Sequence, residues 1–369
     1  MIYLDNGATS FHKPEAVYRA VQTAMRRCAN PGRGGYGAAM EAARQVYGCR
    51  VAAGELFDCL PEQVVLTNSC THGLNIAIRS LVKPGDRVVI SGFEHNAVTR
   101  PLTALGAKIT VAGRKLFDWE DTVASFRKAL DGDVKAAVFT HVSNVFGYIL
   151  PVAELAEICR ERGIPFILDG AQSAGVLPID FRELGAEFVA MPGHKGLLGP
   201  QGTGLLLCRE DAQPLIYGGT GSESARQEMP DYLPDRLEAG TLNVPGFAGL
   251  TEGIRHVQKM GVENIFRREH GQLKEGIRGL EKLGMRVFAG EHQAGTVSFL
   301  SGNDCEEAAQ ILGEQGIAVR AGLHCAPFAH ESCGTLETGT VRASFGADAQ
   351  KNQTRSFLQA ASKLLPYKA

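Results

Sequence analysis

The sequence has almost no excess charge and no long apolar run, and each absence excludes a class of protein. Its 369 residues carry 40 acidic and 38 basic side chains, a net charge of -2, which does not favour binding to nucleic acid or to an anionic membrane. No apolar run approaches the roughly 18 residues of a membrane helix, and residues 1–25 lack the basic and apolar segments of a secretion signal. We therefore expect a cytoplasmic protein that binds neither nucleic acid nor membrane.

Cysteine pairs with the spacing of a zinc or redox motif are also missing. The nine cysteines are odd in number and scattered along the chain. We expect most of them to be small buried side chains in a reducing compartment, with no disulfide framework and no metal site. What the sequence does have is 44% apolar residues, enough in a chain of this length for a large core.

Short β-rich runs alternate with amphipathic segments over the first two thirds of the chain. This alternation predicts an α/β fold with a mostly parallel, seven-stranded sheet between two layers of helices. The predicted strands are Val64–Thr67, Arg87–Ser91, Lys108–Val111, Ala136–Thr140, Pro165–Asp169, Phe188–Ala190 and Leu205–Cys208.

The pattern changes near residue 250. A long charged helical stretch, Gly253–Leu283, precedes a β-rich run at Gly295–Leu300 and another helix. We predict a large α/β domain at residues 15–250 and a smaller α+β domain formed by residues 1–14 and 251–369.

Polar residues follow four of the predicted strands. The carboxyl ends of parallel strands meet at one edge of the sheet, where open α/β sheets bind their ligands. An ordinary capped helix start explains each turn singly, but four such turns at one edge favour a site that includes a phosphate-binding helix N-terminus. The residues are Thr71 and His72, His95, Asn144, and Asp169 with Gln172.

A glycine-rich turn after the sixth predicted strand contains His194 and Lys195. A lysine amine in such a turn can bind a carbonyl cofactor covalently, and an acid such as Asp169 can keep a pyridine nitrogen protonated. These are the two requirements of a pyridoxal phosphate (PLP) site. The pair therefore predicts a PLP enzyme.

In order and spacing, these motifs resemble those of the class V aminotransferase-like (fold-type I) PLP enzymes. Within that family the chain is similar to the cysteine desulfurase and selenocysteine lyase group, of the group II type. The likeness implies a fold-type I transferase fold and a homodimer with a shared active site. It is carried by Tyr3–Thr9, Glu94–Asn96, His141–Asn144, Asp169–Gln172, Gly193–Lys195, Glu238–Thr241, Arg320–Pro327 and Val341–Ser344.

The resemblance also implies roles for individual residues. Lys195, Cys325 and His95 would be catalytic, and Asn6, Arg320 and Arg342 would bind substrate. The guanidinium fork of Arg342 suits the substrate α-carboxylate. The residues implied to bind PLP are Thr71, His72, His95, Asn144, Asp169, Gln172, His194 and Lys195, with Thr241 supplied by the second subunit.

Cys325 decides which reaction the resemblance implies. The loop Arg320–Pro327 matches the family's sulfur-accepting loop, and we expect His324 to favour the thiolate of Cys325. The implied reaction converts L-cysteine into L-alanine and a persulfide on Cys325, for iron-sulfur cluster assembly or tRNA thiolation through a sulfur-acceptor protein. The alternative is that Cys325 is one more small buried side chain.

Three other activities stay open. The enzyme could act on selenocysteine, cysteine sulfinate or cystine; it could be an aminotransferase or epimerase of the same fold; or it could be a sulfur-carrier scaffold without PLP.

Two further expectations concern the site's surroundings. Cys70 stands where relatives commonly have a hydroxyl residue, so phosphate binding would depend more on backbone groups and His194. The glycine-rich segment 30–37 would lie near the entrance, where Arg33 or Tyr36 would contact substrate or the partner subunit.

Overall fold

The computed structural model describes residues 1–32, 34–209 and 212–368, so Arg33 lies outside the described residues. The strands are β1 Ile2–Tyr3, β2 Val64–Thr67, β3 Arg87–Ser91, β4 Lys108–Ala112, β5 Ala136–Thr140, β6 Phe166–Asp169, β7 Phe188–Pro192, β8 Gly204–Cys208, β9 Arg286–Phe288, β10 Thr296–Leu300, β11 Ile317–Ala318, β12 Arg320–Gly322 and β13 Thr340–Ser344. The α-helices are α1 Glu15–Arg27, α2 Gly37–Phe57, α3 Cys70–Leu81, α4 Asn96–Ala104, α5 Trp119–Ala129, α6 Val152–Glu161, α7 Phe181–Leu184, α8 Val244–Met260, α9 Val262–Lys282, α10 Cys305–Glu314, α11 Pro327–Cys333 and α12 Lys351–Ala361.

A seven-stranded sheet forms the centre of the fold, in the order β2-β8-β7-β6-β5-β3-β4. Its strands are parallel except β8, which pairs antiparallel with both β2 and β7. Strands such as Ala136–Thr140 are buried along their whole length because helices cover both faces. The predicted fold class is confirmed, and each of the seven predicted strands is present within a residue or two.

A second, four-stranded sheet with the order β12-β13-β10-β9 lies in the C-terminal part of the chain. The N-terminus belongs with it, because β1 pairs in parallel with β11 and Asp5 forms a bridge to Ser344. Leu4 accordingly packs in a core that includes Val297 and Phe357.

The predicted helical stretch 253–283 is two helices rather than one. Gly261 separates α8 from α9 with a φ of 80°, a backbone conformation that a residue with a side chain adopts only under strain. Helix α8 spans residue 250 and packs against α1 and α2. We therefore propose that the chain passes into the small domain at Gly261 rather than at residue 251.

The parallel strands of the large sheet end side by side and set the position of the site. Thr140 at the end of β5 pairs with Asp169 at the end of β6, and Asp169 pairs with Ala190 of β7. The loops after these strands therefore open on one edge of the sheet. Among the helices of the described residues, none is both long and apolar enough to cross a bilayer.

Candidate active site

The turn after β7 holds Lys195 in a half-buried position. The turn is closed by a hydrogen bond from the Gly199 amide to the Gly193 carbonyl at 2.7 Å. The N-terminal segment holds it from outside, because the amide of Ser10 donates to the carbonyl of His194 at 3.0 Å. Burial lowers the pKa of Lys195, and the acidic groups of Cys70 and Asp169 oppose that fall. A lysine amine with a lowered pKa is suited to nucleophilic attack on a carbonyl.

Asp169 lies at the carboxyl end of β6, almost entirely buried. Its Oδ1 accepts a hydrogen bond from the amide of Ala171 at 2.9 Å, which fixes the direction of the carboxylate. The thiol of Cys70 also donates to Oδ1, at 3.5 Å. Cys70 thus points at the carboxylate and not at the helix N-terminus, where the hydroxyl of a serine or threonine would have been useful.

His95 is the N-cap residue of α4. Its Nδ1 accepts a hydrogen bond from the amide of Ala97 at 3.0 Å, so the proton of the neutral ring is on Nε2. Burial lowers the pKa of His95, and the carboxylate of Asp169 partly opposes this while the charge of Lys195 adds to it. The ring is therefore neutral near pH 7, and it is a weaker base than an ordinary histidine.

The N-terminus of α3 presents backbone donors at the same edge. Ser69 caps the helix by accepting a hydrogen bond from the amide of His72 at 3.2 Å. Cys70 and Thr71 precede His72 in the first turn, where amide groups have no carbonyl of the helix to bind. Thr71 is exposed and His72 half-buried, and burial lowers the pKa of His72. The turn can bind an anion such as a phosphate.

Asn144 connects the loop after β5 to the loop after β12 and to β13. Its side-chain nitrogen donates to the backbone carbonyl of His324 at 2.7 Å, and its own backbone carbonyl accepts a hydrogen bond from Arg342 at 2.9 Å. The side-chain oxygen of Asn144 is buried and has no hydrogen-bond partner within the described part of the chain. An unsatisfied buried acceptor of this kind indicates where a bound molecule would donate a hydrogen bond.

Arg342 is buried at the centre of β13, only 2% exposed. One terminal nitrogen donates to Asn144 and the other to Asp5 Oδ1 at 2.7 Å, while Nε is buried and has no partner in the ranges that the structure describes. Asn6 is next to this pair and donates through its side chain to the carbonyl of Ser344 at 3.1 Å. A buried guanidinium with an unused donor suits a carboxylate ligand.

The loop after β12 exposes the thiol of Cys325 at the edge of the site. His324 and Cys325 both have left-handed backbones, with φ of 51° and 57°. The carbonyl of Cys325 accepts a hydrogen bond from the amide of Asn96 at 2.7 Å, which attaches the loop to α4 beside His95. Consecutive left-handed residues other than glycine are uncommon, and they concentrate at functional sites.

A cavity of about 480 Å³ is lined in part by Lys195. Asn6, Gln172, Ser344 and Glu269 also line it, whereas Arg342 and Cys325 do not. Gln172 is held by donating to the carbonyl of Gly7 at 2.9 Å. The cavity is large enough for an amino acid beside the lysine.

Two predicted site residues have surroundings that the sequence did not indicate. The ring of His194 pairs with the hydroxyl of Thr9 at 3.0 Å through Nδ1, and burial lowers its pKa to about 4, with the charges of Lys195 and Lys13 adding to the fall. Thr241 is exposed and lines a different cavity, together with Glu238. Within one protomer Thr241 therefore does not join the residues around Lys195.

Comparison with known proteins identifies the family. The family model described as aminotransferase class-V matches residues 2–357. The chain belongs to the class V aminotransferase family. Two curated members have the name "Probable cysteine desulfurase": one from Methanothermobacter thermautotrophicus, 33% identical, with 93% of this chain and 89% of the relative aligned, and one from Pyrococcus abyssi, 31% identical, with 99% and 94% aligned.

Solved structures of class V aminotransferases agree with the fold. The apo cysteine desulfurase from Thermococcus onnurineus superposes with a TM-score of 0.90 at 31% identity, covering 98% of this chain and 94% of that one. The Escherichia coli cysteine desulfurase CsdA superposes with a TM-score of 0.85 at 26% identity, covering 97% and 93%. The resemblance drawn from the motifs is thus confirmed at the level of the family.

One expectation about this class V aminotransferase is wrong. His324 does not face the thiol of Cys325, because its ring is buried, stacks on His330 and approaches the carbonyl of Arg320 at 3.4 Å. Burial and the nearby charge of Arg342 lower the pKa of His324 to about 3. A neutral imidazole directed into the protein supplies no positive charge to a thiolate.

Sequence reasoning missed two acids. Asp5 lies in the first motif, but its partners Arg320 and Arg342 are more than three hundred residues away along the chain. Glu94 precedes His95, yet only the structure shows that its carboxyl is completely buried between β3 and β5. The signal available was an acid directly beside a predicted site residue, a position that also occurs on ordinary surfaces.

Proposed function

We propose that this member of the class V aminotransferase family is a PLP-dependent cysteine desulfurase that forms a persulfide on Cys325. The observation that carries the proposal is the exposed side chain of Cys325, whose backbone carbonyl accepts a hydrogen bond from the Asn96 amide next to His95. The buried Arg342 is bound to Asn144, whose side chain in turn donates to the carbonyl of His324 beside Cys325. An aminotransferase needs no thiol there. The curated relatives named above support the same reaction.

The residues present fit PLP. Lys195 has a lowered pKa, Asp169 has a carboxylate held in place by the Ala171 amide, and the first turn of α3 has amide donors for a phosphate. Asn144 has a buried acceptor without a partner among the described residues. When bound, PLP withdraws electrons from the substrate's α-carbon, which makes the bond between Cβ and sulfur breakable.

The chain's own residues would perform the remaining steps. Arg342 binds the α-carboxylate of L-cysteine through its unused Nε and orients the side chain toward Cys325. The amine of Lys195, once free, moves a proton from the α-carbon, and its lowered pKa favours the neutral amine that this step needs. His95 is neutral with its proton on Nε2. It exchanges protons with the substrate from the side opposite Lys195.

Sulfur transfer balances without an external oxidant. The thiolate of Cys325 attacks the sulfur of the substrate, a new S–S bond forms, and the C–S bond breaks with its electron pair left on carbon. The carbon takes up a proton, so the products are L-alanine and the Cys325 persulfide. Release of the sulfur then requires a thiol acceptor that reaches the exposed loop, which we propose is a separate protein.

We further propose a homodimer in which Thr241 of the partner contributes to phosphate binding. Thr241 is exposed and belongs to a loop remote from the Lys195 cavity within one protomer. A second copy of the chain is therefore the way for Thr241 to reach a cofactor. Sedimentation of the purified protein tests the dimer, and PLP affinity of Thr241→Ala tests the contact.

Alanine formation from L-cysteine is the direct test of the proposed reaction. Wild type should produce alanine and, with a reductant, sulfide; Lys195→Ala should produce neither. Cys325→Ala should lose at least a hundredfold in alanine formation from L-cysteine yet still release selenium or sulfite from selenocysteine or cysteine sulfinate. Cys333→Ala, which changes a half-buried thiol of the same region, is the matched control. Full activity of Cys325→Ala on L-cysteine would overturn the mechanism.

A further inference from the structure

Asp5 lies between the two arginines of the substrate side. Its Oδ2 accepts from Arg320 Nε at 3.0 Å and from Arg320 Nη2 at 2.8 Å, while Oδ1 accepts from Arg342 Nη2 at 2.7 Å. Asp5 is 8% exposed, so its carboxylate is shielded from water and its charge acts at short range. One carboxylate thus uses the paired donors of Arg320 and one terminal donor of Arg342.

The two arginines are forced together by the sheet. Arg320 on β12 and Arg342 on β13 are directly opposite each other in the antiparallel ladder. Like charges at such a pair repel, and they would present a net charge of two to the site. With Asp5 between them, the three side chains together carry a single positive charge. That charge matches one substrate carboxylate.

Arg320 belongs to the strand that leads into the loop of Cys325. It is the first residue of β12, five residues before Cys325, and its carbonyl lies 3.4 Å from the ring of His324, the neighbour of Cys325. In the proposed function Cys325 attacks the substrate sulfur, so that sulfur must come within bonding distance of the thiol. Arg320 is therefore on the side of the site where the end of the substrate side chain must lie, and Asp5 has already taken its paired donors.

We propose that Asp5 is a specificity-determining residue that favours an amino acid with an uncharged side-chain sulfur over one with an anionic sulfur group. The inference rests on the proposed function and deepens it. L-Cysteine has one anionic group, which Arg342 binds. Cysteine sulfinate has a second at the sulfur, where it meets an arginine neutralised by Asp5 and the carboxylate itself.

The reaction of cysteine sulfinate makes the comparison clean. Its C–S bond breaks with the electron pair left on carbon, the carbon takes up a proton, and the sulfur leaves as sulfur dioxide, which water converts to sulfite. No thiol is needed, so the rate reports binding and orientation of the substrate rather than the chemistry of Cys325.

Asp5→Asn tests the proposal, because asparagine keeps the shape and removes the charge. We expect the ratio of kcat/KM for cysteine sulfinate to that for L-cysteine to rise at least tenfold, chiefly through a lower KM for the sulfinate. The double variant Asp5→Asn with Arg320→Gln should lose that gain. Asp231→Asn, which removes an exposed carboxylate paired with Arg226, is the matched control and should leave the ratio unchanged.

The single variant Arg320→Gln keeps the proposal testable if Asp5→Asn fails to fold, as checked by circular dichroism. Arg320→Gln leaves the Asp5 carboxylate and removes a cation, so the ratio should fall below that of wild type. An unchanged or reduced ratio in folded Asp5→Asn, or an unchanged or higher ratio in Arg320→Gln, would overturn the role of Asp5. If wild type forms no alanine from L-cysteine, the proposed function fails and the role of Asp5 fails with it.

Discussion

Replacing Glu94 with glutamine should change how the stability of this protein depends on pH. The carboxyl of Glu94 is completely buried; Oε1 accepts from the hydroxyl of Ser91 and, at 2.8 Å, from the amide of Thr140. Its Oε2 is buried without a partner in the described ranges. Burial raises the pKa of Glu94 from 4.5 to about 8, and the charge of Asp169 adds to the rise.

The sign follows from which state holds the proton. Below pH 4.5 both the folded and unfolded chains carry it, and above about pH 8 neither does. Between the two values only the folded chain carries this proton. The stability that the proton contributes is therefore fully present below pH 4.5 and is lost as pH rises through about 8. At about 1.4 kcal/mol per pH unit, that interval corresponds to a loss of about 5 kcal/mol.

Glutamine has no proton to lose and keeps an oxygen for both hydrogen bonds. The free energy of unfolding of Glu94→Gln, relative to wild type, should therefore rise by about 5 kcal/mol between about pH 4.5 and pH 9. Urea unfolding followed by circular dichroism measures this difference, and the other carboxyls with a raised pKa, those of Glu238 and Glu269, are common to both proteins and cancel. Glu15→Gln, at an exposed position, is the control. A difference that stays constant with pH would refute the reasoning and show that the buried Glu94 is ionised.

Three further predictions concern stability and the reactive loop. Glu238→Ala should lower the free energy of unfolding by about 3–5 kcal/mol, because it leaves the buried guanidinium of Arg50, which the Glu238 carboxylate binds at 2.6 Å, without a partner charge. Gly196→Ala should lower it by about 1–3 kcal/mol and weaken cofactor binding at the adjacent lysine, since its Cβ would lie 2.3 Å from a backbone oxygen. His324→Gln should leave the pH dependence of Cys325 alkylation unchanged above pH 5, because burial has already lowered the pKa of the histidine to about 3.

Matched controls separate these effects from general damage. Glu15→Ala breaks an exposed ion pair and should change stability by less than about 1 kcal/mol. Gly271→Ala adds a methyl group where no atom lies within 4 Å, so it should leave cofactor binding unchanged. Equal losses in Glu238→Ala and Glu15→Ala would contradict the value assigned to the buried pair. A shifted alkylation profile in His324→Gln would mean that the histidine acts on the thiol after all.

The central sheet was predictable because its strands are short, apolar and bounded by turn residues. Ala136–Thr140 is apolar on both faces, the pattern of a strand covered by helices on both sides, and polar residues follow it directly. The edge at which Asp169 and Asn144 meet then follows from parallel topology alone. This is why the sequence located the edge of the sheet at which these polar residues lie.

The substrate side was not predictable to the same depth, because side-chain direction there depends on contacts between distant segments. His324 adjoins Cys325 in the chain, but packing against His330 turns its ring inward. Cys70 stands at a position of the predicted phosphate-binding turn where relatives commonly have a hydroxyl residue, yet its thiol donates to Asp169. Sequence adjacency gives the neighbours of a backbone, whereas the direction of a side chain is set by the cavity that accepts it.

The backbone of the loop Arg320–Pro327 limits how sulfur can leave the proposed persulfide on Cys325. His324 and Cys325 have left-handed φ values, which cost of the order of 1–3 kcal/mol each. Hydrogen bonds to both carbonyls, from Asn144 at 2.7 Å and from Asn96 at 2.7 Å, hold the strained pair in place. Both donors belong to the large domain beside the site, so a loop that swung outward would give up two hydrogen bonds at once. The backbone of Cys325 is thus fixed beside α4, and the sulfur acceptor in our proposal must therefore bring its own thiol to Cys325.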